Sequence, residues 1–115
     1  MTERFGGDAR LKRRDEFKTV EAGGRRVSGR YVTLVARPNG RDRDRLGIIA
    51  SKRVGDAVRR NRAKRRLREL FRREAGVSGR PLDLVAVARP GLGEAPFAAV
   101  RTDFLAALSK LRGAR

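Results

Sequence analysis

The chain has 115 residues, the length of one domain, with 30 Lys and Arg against 13 Asp and Glu and a formal net charge of +17. It contains no His and no Cys. That excludes Cys- or His-ligated zinc, Ser-His and Cys-His nucleophilic sites, redox dithiols and disulfides, and the missing Cys fits a reducing compartment. No run of more than six residues lacks a charge, so neither a transmembrane helix nor a signal-peptide apolar region is expected.

Met1 to Arg10 is polar, carries Gly6-Gly7 and reads as a loose arm. Leu11 to Ala22 contains a short helix with Phe17 and Val20 on one face, stopped by Gly23-Gly24. Val27 to Ala36 is rich in Val, Thr and Tyr and reads as a strand, with Gly29 as a site for a bulge or break. Pro38-Asn39-Gly40 and the alternating Arg41 to Arg45 read as a polar hairpin loop. Leu46 to Val54 is a second strand, with Leu46, Ile48, Ala50, Lys52 and Val54 on one face and Gly47, Ile49, Ser51 and Arg53 on the other.

Gly55-Asp56 opens a long helix to about Ala75, with Asp56 as its cap or first-turn anion and Gly76 as its stop. Gly76 to Arg80 is a connector. Leu82 to Ala88 is apolar apart from Asp83 and reads as a strand buried on both faces. Arg89-Pro90-Gly91 turns the chain, and Gly91-Leu92-Gly93 is a turn rather than a phosphate loop. Pro96 suits the first turn of a last helix, on which Phe97, Val100, Phe104, Leu105, Leu108 and Leu111 form one apolar stripe. The order is helix, strands, helix, strand, helix. That predicts a two-layer α/β (α+β) sandwich with one small sheet and a single domain over residues 1–115.

Residues 52–73 hold eleven basic side chains against Asp56 and Glu69, a net of +9 in a fifth of the chain. On a helix, Ala63, Leu67, Leu70 and Phe71 fall in one sector that must face the sheet. Asn61, Arg62, Arg65, Arg68, Arg72 and Arg73 fan across the opposite side. Arg59 and Arg66 lie on one flank and Lys64 on the other, while Arg60 falls in the core sector near the amino end. Like charges four residues apart cost an isolated helix about 0.2–0.5 kcal/mol per pair. A helix that accepts several such pairs with almost no Glu implies a polyanion outside the protein. Arg in place of Lys suits bidentate phosphate contact and stacking on bases.

The stretch Ser51-Lys52-Arg53-Val54-Gly55-Asp56-Ala57-Val58-Arg59-Arg60-Asn61-Arg62-Ala63-Lys64-Arg65-Arg66-Leu67-Arg68-Glu69 closely resembles the signature of the bacterial ribonuclease P protein subunit. Leu11 to Phe17 resembles that family's opening helix, Leu82 to Pro90 its last strand and Phe97 to Leu111 its closing helix. The resemblance implies a mixed sheet with three helices in the order α-β-β-β-α-β-α and a left-handed crossover, which periodicity alone would not suggest. It implies that the chain is a subunit of a cytoplasmic ribonucleoprotein endoribonuclease that removes the 5′ leader of precursor tRNA. Its implied partners are a catalytic RNA and that leader, with no protein partner and no membrane. The catalytic groups and the Mg²⁺ ions are expected on the RNA, so the protein is expected to supply neither catalytic residues nor a metal site.

Carried over residue by residue, the resemblance assigns RNA contact to Lys52, Arg53, Arg59, Arg60, Asn61, Arg62, Lys64, Arg65 and Arg68. It assigns a leader cleft to Lys12, Arg13, Phe17, Tyr31, Val35 and Ser51, with Phe17 able to stack on an unpaired base. Glu21 and Val35 stand where many members carry apolar or aromatic groups, leaving fewer stacking platforms.

Three other readings compete. A structural RNA-binding protein explains charge and size but not the signature. A self-sufficient metal nuclease has only the acidic pairs Asp15-Glu16 and Asp42-x-Asp44 to draw on. Both lie among Lys and Arg and are expected to be solvated and salt-bridged. A major-groove DNA reader lacks helix-turn-helix spacing before Asp56.

Overall fold

A computed structural model describes residues 10–11, 13–74 and 81–113. The helices are α1 (Arg14–Gly23), α2 (Ala57–Glu74) and α3 (Phe97–Gly113), and the strands are β1 (Arg25–Ser28), β2 (Val32–Pro38), β3 (Arg45–Ile49) and β4 (Leu82–Ala88). The chain order is α-β-β-β-α-β-α, as the resemblance implied, and the strands form one mixed sheet in the order β1-β2-β4-β3. Residues 1–9 of the arm, the connector and Lys12 lie outside the described residues, while Arg10, read as the end of the loose arm, forms a parallel bridge with Leu46.

Three expectations change. The strand over Val27–Ala36 is two antiparallel strands, β1 and β2, folded back at Gly29 to Tyr31. The fold-back is fixed by Asp103 of α3, whose carboxylate accepts the backbone N–H groups of Arg30, Tyr31 and Val32 at 2.9–3.1 Å. A Cβ at Gly29 would lie 2.4 Å from that carboxylate, so only glycine fits there.

The loop after Pro38 does not make a hairpin. β4 lies between β2 and β3, antiparallel to the first and parallel to the second. The near-continuous apolar run of β4 is what a central strand covered on both faces requires. The strand from Leu46 stops at Ile49, and Lys52–Val54 forms a single 3₁₀ turn capped by the Ser51 hydroxyl, which accepts from the Arg53 N–H at 3.3 Å.

Two cores result. α2 and α3 cover one face through Leu34, Leu46, Leu67, Leu70, Leu84, Val100 and Phe104. α1 covers part of the other face through Leu11, Val20, Val35 and Val85. The predicted alternation along Leu46 to Ala50 holds, with Leu46, Ile48 and Ala50 in the first core and Ile49 beside the second.

Asp44, expected to be solvated, is 3 % exposed. Its carboxylate accepts the Leu82 N–H at 2.7 Å and pairs with Arg112 of α3, tying the start of β4 to the last helix. Removing the acceptor for three part-buried or loop N–H groups costs more than removing a surface charge. Asp103→Ala is therefore expected to destabilise the fold by about 1–3 kcal/mol. Urea unfolding with an unchanged m-value measures this.

Candidate nucleic-acid interface

The register of the sheet arranges the face under α1 into three cross-strand rows. The first holds Arg37, Asp83 and Arg45; the second Arg26, Val35, Val85 and Gly47; the third Ser28, Thr33, Val87 and Ile49. α1 lies across the first two. At its start, Glu16 pairs with Arg45 at 3.2 Å and the Leu11 N–H donates to Leu46 at 3.0 Å. At its end, Gly24 sits against the backbone of Ala36, where a Cβ would meet the carbonyl oxygen at 2.8 Å. The third row stays half open: Val87 and Ile49 are partly exposed, and the Thr33 hydroxyl donates to that of Ser28 at 3.2 Å. A groove with an apolar floor thus runs across the sheet beside α1. The exposed Ser51, Lys52 and Arg53 follow Ile49 at its β3 side.

Phe17 forms the wall at β3. A Cβ at Gly47 would lie 2.5 Å from its ring, so a glycine in mid-strand lets the ring lie on the backbone. The ring is half buried against the α1-side core. Val35 belongs to that core at 1 % exposure and lines no open surface. Tyr31 packs against the opposite core, with the Arg30 guanidinium over its ring at 5.4 Å, so the structure does not bring it to Phe17. Arg13 is exposed at the start of α1, and Glu21 is exposed toward its end.

On the other side of β3, Gly55 and Asp56 start α2. Gly55 has φ of 142°, a conformation that L side chains rarely adopt, and the Asp56 carboxylate accepts the Arg59 N–H at 3.0 Å. Ala63, Leu67, Leu70 and Phe71 are buried, as the spacing predicts. The basic side chains divide. Arg66 donates to the carbonyls of Leu92 and Ala95, Arg62 to that of Gly93 at 3.3 Å, and Arg59 pairs with Glu94 and with Asp56. These clamp the 89–96 turn onto the helix, and Gly93 leaves no room for a Cβ under the Arg59 carbonyl, 3.0 Å away. Arg72 and Arg73 pair with Glu69.

Among the described residues, Lys52, Arg53, Arg60, Lys64, Arg65 and Arg68 have no carboxylate within ion-pair distance, and Asn61 is exposed beside them. Arg60 is half buried, with its Nε unpartnered inside the protein.

A pocket of about 170 Å³ at the outer edge of β3 joins the two regions. It is lined by Arg10, Leu11, Phe17, Leu46, Gly47, Ile48, Lys64 and Arg68. The aromatic wall of the groove and two cations of α2 therefore share one surface. The resemblance assigns Phe17 to the leader cleft and Lys64 and Arg68 to RNA contact, two separate sites. Sequence reasoning missed Arg10, Gly47, Ile49 and Val87; the glycine in a strand was the only local signal.

The profile of the Ribonuclease P family matches residues 5–112. The chain belongs to the ribonuclease P protein family. It is 37% identical over 117 residues to the ribonuclease P protein component of Thermotoga maritima, covering 98% of this chain and 100% of that one. It is also 37% identical over 102 residues to the component from Syntrophomonas wolfei, covering 89% and 86%. The solved T. maritima RNase P protein superposes with a TM-score of 0.76 over 92% of this chain and 97% of its own, at 34% identity. The Staphylococcus aureus protein does so with 0.78, over 90% and 97%, at 27%.

Family membership makes this chain the protein subunit of an endoribonuclease that works with RNA in processing the 5′ end of tRNA. RNA is thus the polyanion that the unpaired cations imply. Among the described residues, no helix is long and apolar enough to cross a membrane.

The Asp83–Arg45 ion pair in the first row, under α1, carries a pH signature. Burial alone would raise the Asp83 carboxyl. Hydrogen bonds from Arg45 and Asn39, and the charges of Arg45 and Arg41, outweigh it and hold the group below its ordinary value of 3.8. A lowered folded value means the stabilisation is present above the unfolded value and is lost as pH falls through the folded one. Asp83→Asn is expected to flatten the acid limb of a stability-versus-pH curve below about pH 5, measured by thermal melting.

Proposed function

We propose that the protein seats the 5′ leader of precursor tRNA in the groove beside α1 while α2 docks on the catalytic RNA subunit. The observation that carries this is the pocket at the edge of β3, where Phe17 meets Lys64 and Arg68. A leader base stacks on Phe17 over the apolar Ile49–Val87 floor. Its phosphates meet Lys52 and Arg53 where the chain leaves β3. Arg65, Arg68 and Asn61 face the partner RNA from the exposed side of α2.

Precursor tRNA and the catalytic RNA are both polyanions and repel each other. A chain of +17 between them lowers that repulsion. Mature tRNA has no leader, so the groove favours substrate over product, and binding energy is spent on discrimination without a catalytic side chain.

Among the described residues, the carboxylates of Asp44, Glu69, Asp83 and Asp103 are already engaged. Asp83 is bound to Arg45, Asp44 to Arg112, Asp103 to three N–H groups and Glu69 to two arginines, and no three ligating side chains converge among the described residues. We infer that the metal ions and the hydrolytic step belong to the RNA, in the cytoplasm where precursor tRNA is made.

Two variant sets test this in the reconstituted holoenzyme. Arg65→Ala with Arg68→Ala, both exposed, should raise the Mg²⁺ needed for leader removal. It should also flatten the log–log salt dependence of RNA affinity by about 1.4, from roughly 0.7 per phosphate contact. Phe17→Leu keeps the apolar bulk and removes the stacking ring. It should weaken leader-bearing precursor by about 1–3 kcal/mol and leave mature tRNA unchanged. Equal losses for both tRNAs, or none, would refute the leader groove. Binding unchanged by the arginine pair would refute docking by α2.

A further inference from the structure

We propose that the opposite edge of the sheet, at β1, is a second RNA-binding surface that takes a phosphodiester backbone. The inference rests on the reading that the chain works on RNA, and it adds a site separate from α2. Arg25, Arg26, Arg30 and Arg37 are all exposed there. None of them has a carboxylate within ion-pair distance among the described residues. The strand order puts β1 at one edge and β3, beside α2, at the other. Three strand spacings of about 4.8 Å separate them by roughly 14 Å.

The register shows that this is an arrangement rather than scattered surface charge. Arg26 stands opposite Val35 and Arg37 is two residues further along β2, so the two arginines are diagonal neighbours on the α1 face. Arg25, opposite Ala36, projects from the other face of the same edge. Diagonal cross-strand positions are within reach of long side chains, so both guanidinium groups can serve one phosphodiester backbone. At the far end of β1, Arg30 sits on the fold-back that Asp103 fixes through three N–H groups, and its guanidinium lies over the Tyr31 ring. Asp103 is spent on backbone groups, and the backbone that carries Arg30 is held before any ligand arrives. Such preorganisation lowers the ordering cost of binding.

Charged edge strands also guard against strand pairing between copies, a task most often given to Lys. All four side chains here are Arg, whose planar fork matches a phosphate. Charge complementarity therefore selects a nucleic-acid backbone as the occupant over a second copy of this chain.

The test is Arg25→Ala, Arg26→Ala and Arg37→Ala combined in the full chain, titrated with the catalytic RNA subunit, and as holoenzyme with leader-bearing precursor and with mature tRNA. Three lost phosphate contacts at roughly 0.7 each should flatten the log–log salt slope by about 2 and weaken binding about 100-fold near 0.1 M salt, converging near 1 M. Loss with the RNA subunit alone assigns the backbone to that subunit; loss only with tRNA present assigns it to the substrate. Either supports the site. The matching Lys substitutions keep the charge and should keep the slope, and a Lys version that loses it as well would overturn the proposal.

An Ala variant that binds with unchanged slope would also overturn it, whether or not it self-associates in sedimentation; self-association would show the arginines to be edge guards. The Arg65→Ala with Arg68→Ala chain runs alongside. A slope set by α2 alone sinks the second surface and leaves the proposed function standing, whereas a slope moved by neither set sinks both.

Discussion

Strand β3 pairs in parallel with β4 on one side, and on the other side, among the described residues, meets the short bridge from Arg10 to Leu46. This one pairing sets the layout of the molecule. Parallel neighbours need a long crossover, and α2 is that crossover, so the charged helix must leave from the end of β3 and lie against the same strand. The opening segment comes to the same strand from the other direction, with Leu11 bonded to Leu46 and Phe17 laid on Gly47. An aromatic wall and a cationic helix, far apart in sequence, therefore meet around one strand edge. Had β2 and β3 formed the simple hairpin that the polar loop suggests, β4 would have stood at the edge. Phe17 and Lys64 would not then share a pocket.

The arginines do two kinds of work, and exposure alone does not separate them. Arg66, Arg62 and Arg59 donate to the 89–96 turn or pair with Glu94, and so build the protein. Arg65 and Arg68, on the same helix, meet no carboxylate among the described residues and face outward. The consecutive Arg60, Asn61 and Arg62 of the signature cross this divide. Arg60 is half buried, Asn61 is exposed, and Arg62 leans on a carbonyl of the turn. Replacing all three by Ala would strip a structural contact along with any proposed RNA contact. The clean probes of binding are therefore the outward pair one and two turns later.

Most of the element pattern was legible because it rests on local rules. The apolar sector of α2, the run Leu82 to Ala88 and the stripe on α3 each need only periodicity and a cap or breaker. What was not legible depends on partners distant in sequence. Nothing near Gly29 announces that Asp103 will close the fold-back, and nothing near Asp44 announces burial beneath Arg112. Tyr31 shows the same limit. Alternation along one long strand would have set it on the face of Phe17, but the break at Gly29 moved it to the other core. The groove floor at Ile49 and Val87 was invisible for a related reason, since only the register brings these two side chains into one row.

Distance gives the charge distribution its meaning. At physiological ionic strength the screening length is about 8 Å. Phosphates at the two proposed sites, α2 and the β1 edge, would be kept apart by a sheet roughly 14 Å wide plus the side chains on either side. They are thus beyond direct repulsion, while each remains within reach of its own arginines. A disordered basic tail of equal charge would neutralise phosphate but fix no spacing. The folded sheet adds that spacing, and the long-range contacts of Asp103, Asp44 and Arg66 hold it. On this view the small core serves as a spacer of set width, and the arginines are a counterion layer fastened to its two edges.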